Sequence, residues 1–196
     1  MDKTKEVQKI FNDNLSALHE TFSAPCAAEV INTIAACIIE SIRKGGKVLL
    51  CGNGGSAADA QHIAGEFIGR FKLERRAYPA IALTTDTSIL TCVANDYSFD
   101  DVFKRQVEGL GRAGDVLIAI STSGNSANVI RAVEAARALK LTTVSFTGGS
   151  GGKLKGMTEH NFNVGSTYTP FVQSGHGVAL HALCEVVEKS LVEQKI

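Results

Sequence analysis

The chain has only three prolines, no C-x-x-C pair, no G-x-x-x-x-G-K-[ST] and no net charge. Each absence removes a class of protein. With three prolines against nineteen glycines spread along the chain, neither a collagen-like repeat nor a proline-rich linker is present. Five cysteines (Cys26, Cys37, Cys51, Cys92 and Cys184) are odd in number and widely spaced in apolar contexts. Buried, reduced thiols of a cytoplasmic protein are expected, not a disulfide framework or a thiolate metal site. The missing phosphate-loop signature excludes that class of nucleotide hydrolase. Twenty basic and twenty acidic side chains cancel, which argues against a general affinity for nucleic acid or an anionic membrane. No uninterrupted apolar run reaches the roughly 18 residues of a membrane span, and the charged start MDKTKEVQKIFND lacks a signal-peptide core.

What is present is a regular alternation. Residues 4–22 place Val7, Ile10, Phe11, Leu15, Leu18 and Phe22 at helical spacing. Residues 27–43 repeat this with Val30, Ile34, Cys37, Ile38 and Ile42, and close on Lys-Gly-Gly. Then KVLLCG (47–52), AIALTT (80–85), DVLIAI (115–120) and TTVSFT (142–147) form short apolar, β-rich runs separated by helical patterns. Strand–helix alternation predicts an α/β fold, an open parallel sheet sandwiched by helices, preceded by a helical pair. A last helix is expected from about 171 to 194, with Thr169 as its N-cap and Pro170 in its first position. No linker interrupts the chain, so 1–196 reads as one domain, with 1–44 as helices packed on it.

Residues 121–129, STSGNSANV, place four hydroxyls where a strand becomes a helix. A helix N-terminus has unpaired backbone N–H groups and a partial positive charge, and Gly124 lets a ligand approach the backbone. Ordinary capping needs one hydroxyl, so Ser121, Thr122, Ser123 and Ser126 together point to a phosphate cup. GGKVLLCGNGGSAADA (45–60) shows the same order as AGDVLIAISTSGNSANV (113–129): glycine, charge, strand, then a polar turn opening a helix. Two such turns at the carboxyl ends of neighbouring strands would frame one crevice. GNGGSA also fits a short dinucleotide fingerprint, but its acidic companion should lie about 20 residues on. The nearest candidate, Asp86, is 34 residues from Gly52, which speaks against a dinucleotide site.

His62 and Glu66 are four apart on the helix expected to open at Ser56, flanking an apolar stripe of Ala60, Ile63, Ala64, Phe67 and Phe71. The spacing suits a surface ion pair and equally suits two ligands to a divalent metal. The last helix carries Gln173, His176 and His181, with small neighbours Ser174 and Gly177 beside His181. Gly175 and Gly177 are compatible with a ligand close to that backbone and with helix packing. Asn95-Asp96 ends the helical segment TSILTCVAND as an ordinary stop, and matters for function only where that loop faces the crevice.

Taken together, GNGGSAADAQH, ANDYSFDDVF, GDVLIAISTSGNSANV and the closing Q-x-x-H-x-x-x-x-H resemble the sugar-isomerase (SIS) domain family over nearly the whole chain. The similarity is greatest to its phosphoheptose isomerases. The resemblance implies a flavodoxin-like topology and an aldose–ketose isomerase converting sedoheptulose 7-phosphate to D-glycero-D-manno-heptose 7-phosphate. It further implies a role in bacterial surface heptose synthesis (lipopolysaccharide core or capsule), a cytoplasmic homotetramer and one Zn2+ per subunit. By position it implies zinc ligands His62, Glu66, Gln173 and His181, with Glu66 and His181 as the acid–base pair. Implied substrate contacts are Asn53, Gly54, Gly55, Ser56, Glu66, Asn95, Asp96, Ser121, Thr122, Ser123, Ser126 and Gln173.

One segment departs from the family pattern. The family usually has an arginine before the glutamine and a glutamate after it, where this chain reads Pro170-Phe171-Val172-Gln173-Ser174. The lost charge pair bears on the sugar, the phosphate grip and the packing between subunits. A non-catalytic SIS protein, either a phosphosugar-sensing regulator or a replication-initiation partner, is the rival reading. Retention of His62, Glu66, Gln173 and His181 together favours the enzyme. The apolar surface of the first two helices places 1–44 at a subunit interface as well.

Overall fold

The computed structural model describes residues 2–193. Two helices, α1 (Lys3–Phe22) and α2 (Pro25–Arg43), precede the sheet. Strand β1 (Val48–Gly52) leads to α3 (Gly55–Ile68), β2 (Ala80–Ala82), α4 (Thr87–Asp96), a 3-10 turn at Phe99–Asp101 and α5 (Val102–Leu110). The chain continues through β3 (Val116–Ser121), α6 (Ala127–Ala138), β4 (Thr142–Gly148), the single turn α7 (Leu154–Met157), β5 (His160–Val164) and α8 (Thr169–Glu193). All strand pairs are parallel, in the order β2-β1-β3-β4-β5. That is the flavodoxin-like order, and the open sandwich expected from the sequence is formed.

Strand alternation sorts the core into two halves. Val48, Leu50, Val116, Ile118 and Ile120 face a cluster built with α2, α3 and α8. Leu49, Cys51, Leu117 and Ala119 face a second cluster, built with α4, α5, α6 and Leu154. Helices α3 and α6 follow neighbouring strands yet cover opposite faces, so the sheet has its topological switch point between β1 and β3. Among the described residues α2 alone is long and apolar enough to cross a membrane by composition, with a hydropathy of 1.4. Its Ile34 and Ile38 are fully buried in the core, as in the central helix of a globular protein.

Several expectations need correction. The edge strand β5 was not foreseen, because HNFNV offers only Phe162 and Val164 to the core. Its other face is polar. Asn161 Nδ2 donates to Ser145 Oγ and Thr147 Oγ1, both at 2.8 Å, and Thr147 Oγ1 donates to Asn163 Oδ1 at 2.8 Å. Strand β2 stops at Ala82, where the chain turns at Leu83–Thr84, and Asp86 then caps α4 by accepting from Ile89 N at 2.9 Å. Thr169 lies inside α8, whose first i,i+4 bond runs from Val172 N to the Tyr168 carbonyl at 3.2 Å. Position 194, the expected end of that helix, falls outside the described residues. All five thiols are free, but only Cys51 and Cys184 are buried. Cys26 sits in the exposed first turn of α2 and Cys92 on the outer side of α4. Burial pushes the Cys51 and Cys184 thiols up to about 12, so neither is a ready nucleophile.

His176 belongs to the core. It is fully buried, its Nε2 meets the Thr147 carbonyl at 3.0 Å, and Phe146 packs edge-on against its ring. Burial pulls this imidazole down from 6.5 to about 4, against the opposing effect of the Thr147 bond. Above pH 6.5 the ring is neutral both folded and unfolded. Between 6.5 and about 4 the unfolded chain takes up a proton that the folded chain refuses, so stability falls as pH drops. Across that window the loss is on the order of 3 kcal/mol. Urea midpoints measured from pH 7 to 4 are expected to carry this component in the parent and to lack it in His176→Gln, whose amide can still donate to Thr147.

Candidate active site

The crevice forms where β1 and β3 end side by side, Gly52 registering with Ile120. At their amino ends the charges of the two similar segments meet: Lys47 Nζ lies 2.6 Å from the buried Asp115 carboxylate. Asp115 also accepts from the backbone N–H of Lys47 and Arg112, each at 2.9 Å. At the carboxyl ends the two polar turns are joined by a pair of amides. Asn53 Nδ2 donates to Asn128 Oδ1 and Asn128 Nδ2 donates to Asn53 Oδ1, both at 2.9 Å. Asn128 Oδ1 also accepts from Val129 N at 2.9 Å, and the residue is 2% exposed. Asn53 is a substrate contact implied by the family resemblance, whereas Asn128 carries no sequence signal, lying at an unremarkable position in the first turn of α6.

The turn after β3 keeps its hydroxyls off the helix. Ser126 occupies the N-cap of α6 without a side-chain capping bond, and its Oγ lies 3.0 Å from Ser121 Oγ. Ser123 Oγ accepts from Asn125 N at 3.1 Å. Gly124 has φ +65°, and a Cβ there would run into the backbone of Gly151. The loop behind is tied on by Lys153 N donating to Asn125 Oδ1 and Leu154 N donating to the Gly124 carbonyl, each at 3.1 Å. The 52–57 turn is closed by Ser56 N to the Asn53 carbonyl at 2.9 Å and by Gly54 at φ +55°. Gly54 and Gly55 are exposed, whereas Ser56 is buried beneath the turn. Gln173 packs its amide against Gly55, leaving no room there for a side chain.

Further along α3, His62 Nε2 lies 2.8 Å from His181 Nε2 and 3.6 Å from Glu66 Oε1. The His62–Glu66 spacing is thus no isolated surface pair, because α8 delivers His181 directly to it. Phe71, beyond the end of α3, stacks on the His181 ring with centroids 5.8 Å apart. Asp59, one turn before His62, has a buried Oδ2 without a hydrogen-bond partner. Burial raises its carboxyl above the usual range, and the nearby His62 and His181 oppose the rise. Asn95 and Asp96 are exposed at the end of α4. Their side-chain bonds run to each other (2.8 Å) and to Cys92 (3.4 Å), and none joins them to the two turns. Gly175 is explained by packing, since a Cβ there would strike Val164, while Gly177 faces open space. In the divergent segment Asn14 Nδ2 of α1 donates to Ser174 Oγ at 3.2 Å, and Ser174 Oγ donates to the Pro170 carbonyl at 3.0 Å.

The donor set suits zinc in kind: two imidazole nitrogens, a carboxylate and an amide oxygen. Ligands 2.0–2.1 Å from a tetrahedral ion stand about 3.3 Å apart. The His62 and His181 nitrogens therefore need to part by only about half an ångström to share one ion. Among the described residues no three His, Cys, Asp or Glu side chains are already gathered as a metal cluster. Glu66 stands off, and Gln173 is engaged with Gly55.

Comparison with known proteins places this geometry in context. Residues 10–148 match the SIS domain. The chain is 56% identical over 167 residues to a phosphoheptose isomerase of Roseiflexus sp. (strain RS-1), covering 85% of each. It is 50% identical over 190 residues to that of Aquifex aeolicus (strain VF5), covering 97% of this chain and 98% of the relative. The structure of phosphoheptose isomerase from Neisseria gonorrhoeae superposes with a TM-score of 0.89 at 42% identity, covering 95% of this chain and 98% of that one.

Cutting the amide pair should weaken the fold where the two turns join. Asn128→Ala leaves both polar groups of the Asn53 amide and the Val129 N–H without their partners. Urea denaturation is expected to show a loss of about 1–3 kcal/mol. A parental midpoint would mean the pair contributes nothing to stability.

Proposed function

The chain belongs to the SIS-domain family and, within it, to the phosphoheptose isomerases, and on that premise we propose that it interconverts sedoheptulose 7-phosphate and D-glycero-D-manno-heptose 7-phosphate. The observation that carries the reading is the joining of two turns at one switch point. One turn is rich in hydroxyls and opens α6; the other opens the helix that bears His62 and Glu66.

The 121–126 turn receives the phosphate through its hydroxyls and the first N–H groups of α6, favoured by the positive end of that helix. Remote binding of this kind orients C1 and C2 of the sugar for reaction. Asn53, Gly54, Gly55 and Gln173 line the path between the phosphate and the reacting carbons, whereas the implied contact Ser56 is buried beneath the turn. Aldose–ketose interconversion moves a proton between C1 and C2 through a cis-enediol. Glu66 and His181 divide the work, one taking the proton from carbon and the other serving the oxygens. His62, Glu66, Gln173 and His181 would hold Zn2+, one per subunit; when bound it polarises the carbonyl and stabilises negative charge on the enediolate oxygens. Asn95 and Asp96, which make no side-chain bond to the two turns within one chain, join the site as substrate contacts in the assembled enzyme.

That assembly is a homotetramer in this reading. No described residue of α1 is buried, and Val7, Ile10, Phe11 and Leu15 are 46–63% exposed along one helical stripe. A helix with an apolar face and no cover of its own is completed by another copy of the chain. The free thiols suit a cytoplasmic enzyme, here serving surface heptose synthesis.

Glu66→Gln and His181→Ala are each expected to lower kcat at least 100-fold, the usual contribution of a placed acid or base. Near-parental turnover in either removes that residue from the chemistry. Ser121→Ala and Ser123→Ala should raise KM about tenfold with little change in kcat, and metal analysis of the purified protein should find one zinc per chain. For the assembly, Phe11→Asp is expected to shift sedimentation velocity toward smaller species; an unchanged profile would clear α1 of any part in the interface.

A further inference from the structure

A buried ion pair on the far side of the His62–His181 contact has no part in the mechanism above. Glu188 lies on α8, seven residues beyond His181, and is 2% exposed. Its carboxylate accepts from three consecutive backbone N–H groups: Phe71 at 2.8 Å, Lys72 at 2.7 Å and Leu73 at 2.9 Å. The fourth donor is Arg75 Nε at 3.1 Å. Burial alone would raise this carboxyl, but the three N–H donors and the Arg75 charge outweigh it and hold it below the usual range. Arg75, whose side chain is only 5% exposed, directs most of its remaining donors to the end of α3, and Nη1 also donates to the Arg76 carbonyl at 3.0 Å. Nη2 donates to the Glu66 carbonyl at 2.7 Å, and Nη1 to the carbonyls of Phe67 at 2.8 Å and Gly69 at 3.2 Å. The Tyr78 ring lies under the guanidinium, 4.1 Å away at its centroid.

The clamp therefore ends in two places that bear on the chemistry. One is the last turn of α3, where Arg75 holds the backbone of Glu66 itself. The other is Phe71, whose N–H is fixed by Glu188 and whose ring stacks on His181. We propose that Glu188 and Arg75 are positioning residues of the isomerase, setting the Glu66 backbone and, through the Phe71 ring, the orientation of the His181 imidazole. The proposal rests on the acid–base reading of Glu66 and His181 given above. Both members of the clamp are nearly fully buried, and the proposed phosphate cup lies on another pair of elements, β3 and α6. The clamp consequently acts on turnover and not on binding of the phosphate end. Misplacing a reacting group by about 1 Å can cost up to 100-fold, and loosening a single support is a milder change.

The test compares parent, Glu188→Gln, Phe71→Leu, their double variant and His181→Ala, reading kcat, KM, inhibition by inorganic phosphate and melting temperature. Glu188→Gln weakens the clamp, whereas Phe71→Leu keeps it and removes only the ring. Each is expected to lower kcat about tenfold with KM and phosphate inhibition unchanged. The double variant should fall no further than the worse single one, because both act by one route. Should Glu188→Gln not fold, Phe71→Leu alone decides the matter. Parental kcat in Phe71→Leu, or a lower melting temperature with parental kcat in Glu188→Gln, reduces the clamp to a structural tie. If His181→Ala loses activity while both others keep it, the clamp proposal fails and the acid–base reading stands. If His181→Ala itself keeps parental turnover, the acid–base reading fails and takes the clamp with it.

Discussion

Everything in this molecule hangs on how β1 and β3 are held to one another. In a doubly wound sheet the helices after these two strands depart to opposite faces, so a gap opens between the strand ends. Backbone ladder bonds bring the strands only as far as Gly52 and Ile120. Beyond them side chains must span the opening. Below, the Lys47–Asp115 ion pair binds the amino ends, its carboxylate fully used by two backbone N–H groups and the ammonium. Above, Asn53 and Asn128 close an eight-membered ring of paired amides. The gap thereby becomes a crevice of fixed width, and the two turns that border it keep a constant relation.

That relation explains why the turns look alike yet do different work. Each begins with a strand end, passes a glycine at positive φ and opens a helix. After β3 the turn is rich in hydroxyls, and none of them caps α6, so donors remain for an anion. After β1 the turn is glycine itself, so Gln173 of α8 can settle against Gly55. Helix α8 thus lies along α3 and sets His181 beside His62 two turns later. One turn offers charge complementarity; the other offers space for a second helix. A substrate that is an anion at one end and a reactive carbonyl at the other matches that division.

Much of this was legible in the sequence because it was written in local patterns. The apolar runs at 47–52 and 115–120 are buried on both faces, and buried parallel strands leave just such a trace. The hydroxyl turn at 121–126 was visible because it carries more polar side chains than capping requires. Strand β5 was not legible, since a single apolar alternation on an edge strand resembles a loop, and its polar face is satisfied only by partners on β4. Cys26 and Cys92 were misjudged for a related reason: apolar neighbours in sequence do not decide which side of a helix a residue faces. The site divides in the same way. His62 and Glu66 are local, four apart on one helix. That His181 meets them, that Asn128 pins Asn53, and that Asp59 Oδ2 is buried near the imidazoles depend on contacts 75 residues apart or more, or on burial that no spacing encodes.

Long-range contacts are also where the remaining freedom lies. Within one chain the His62 and His181 nitrogens touch, Glu66 lies 3.6 Å from His62, Gln173 packs against Gly55, and Asn95 and Asp96 bond to each other. The rigid parts are the two strand ends and the Glu188–Arg75 clamp, each with its polar groups paired inside the chain. By contrast His62, His181, Asn95 and Asp96 are exposed. Helix α1 leaves its apolar stripe open, and it touches the site helix through Asn14 and Ser174, next to Gln173. A neighbour seated on α1 would press on the segment of α8 that carries Gln173. In the assembly proposed above, a copy seated on α1 would bear on the reacting end of the site, whereas the two turns are already joined within a single chain.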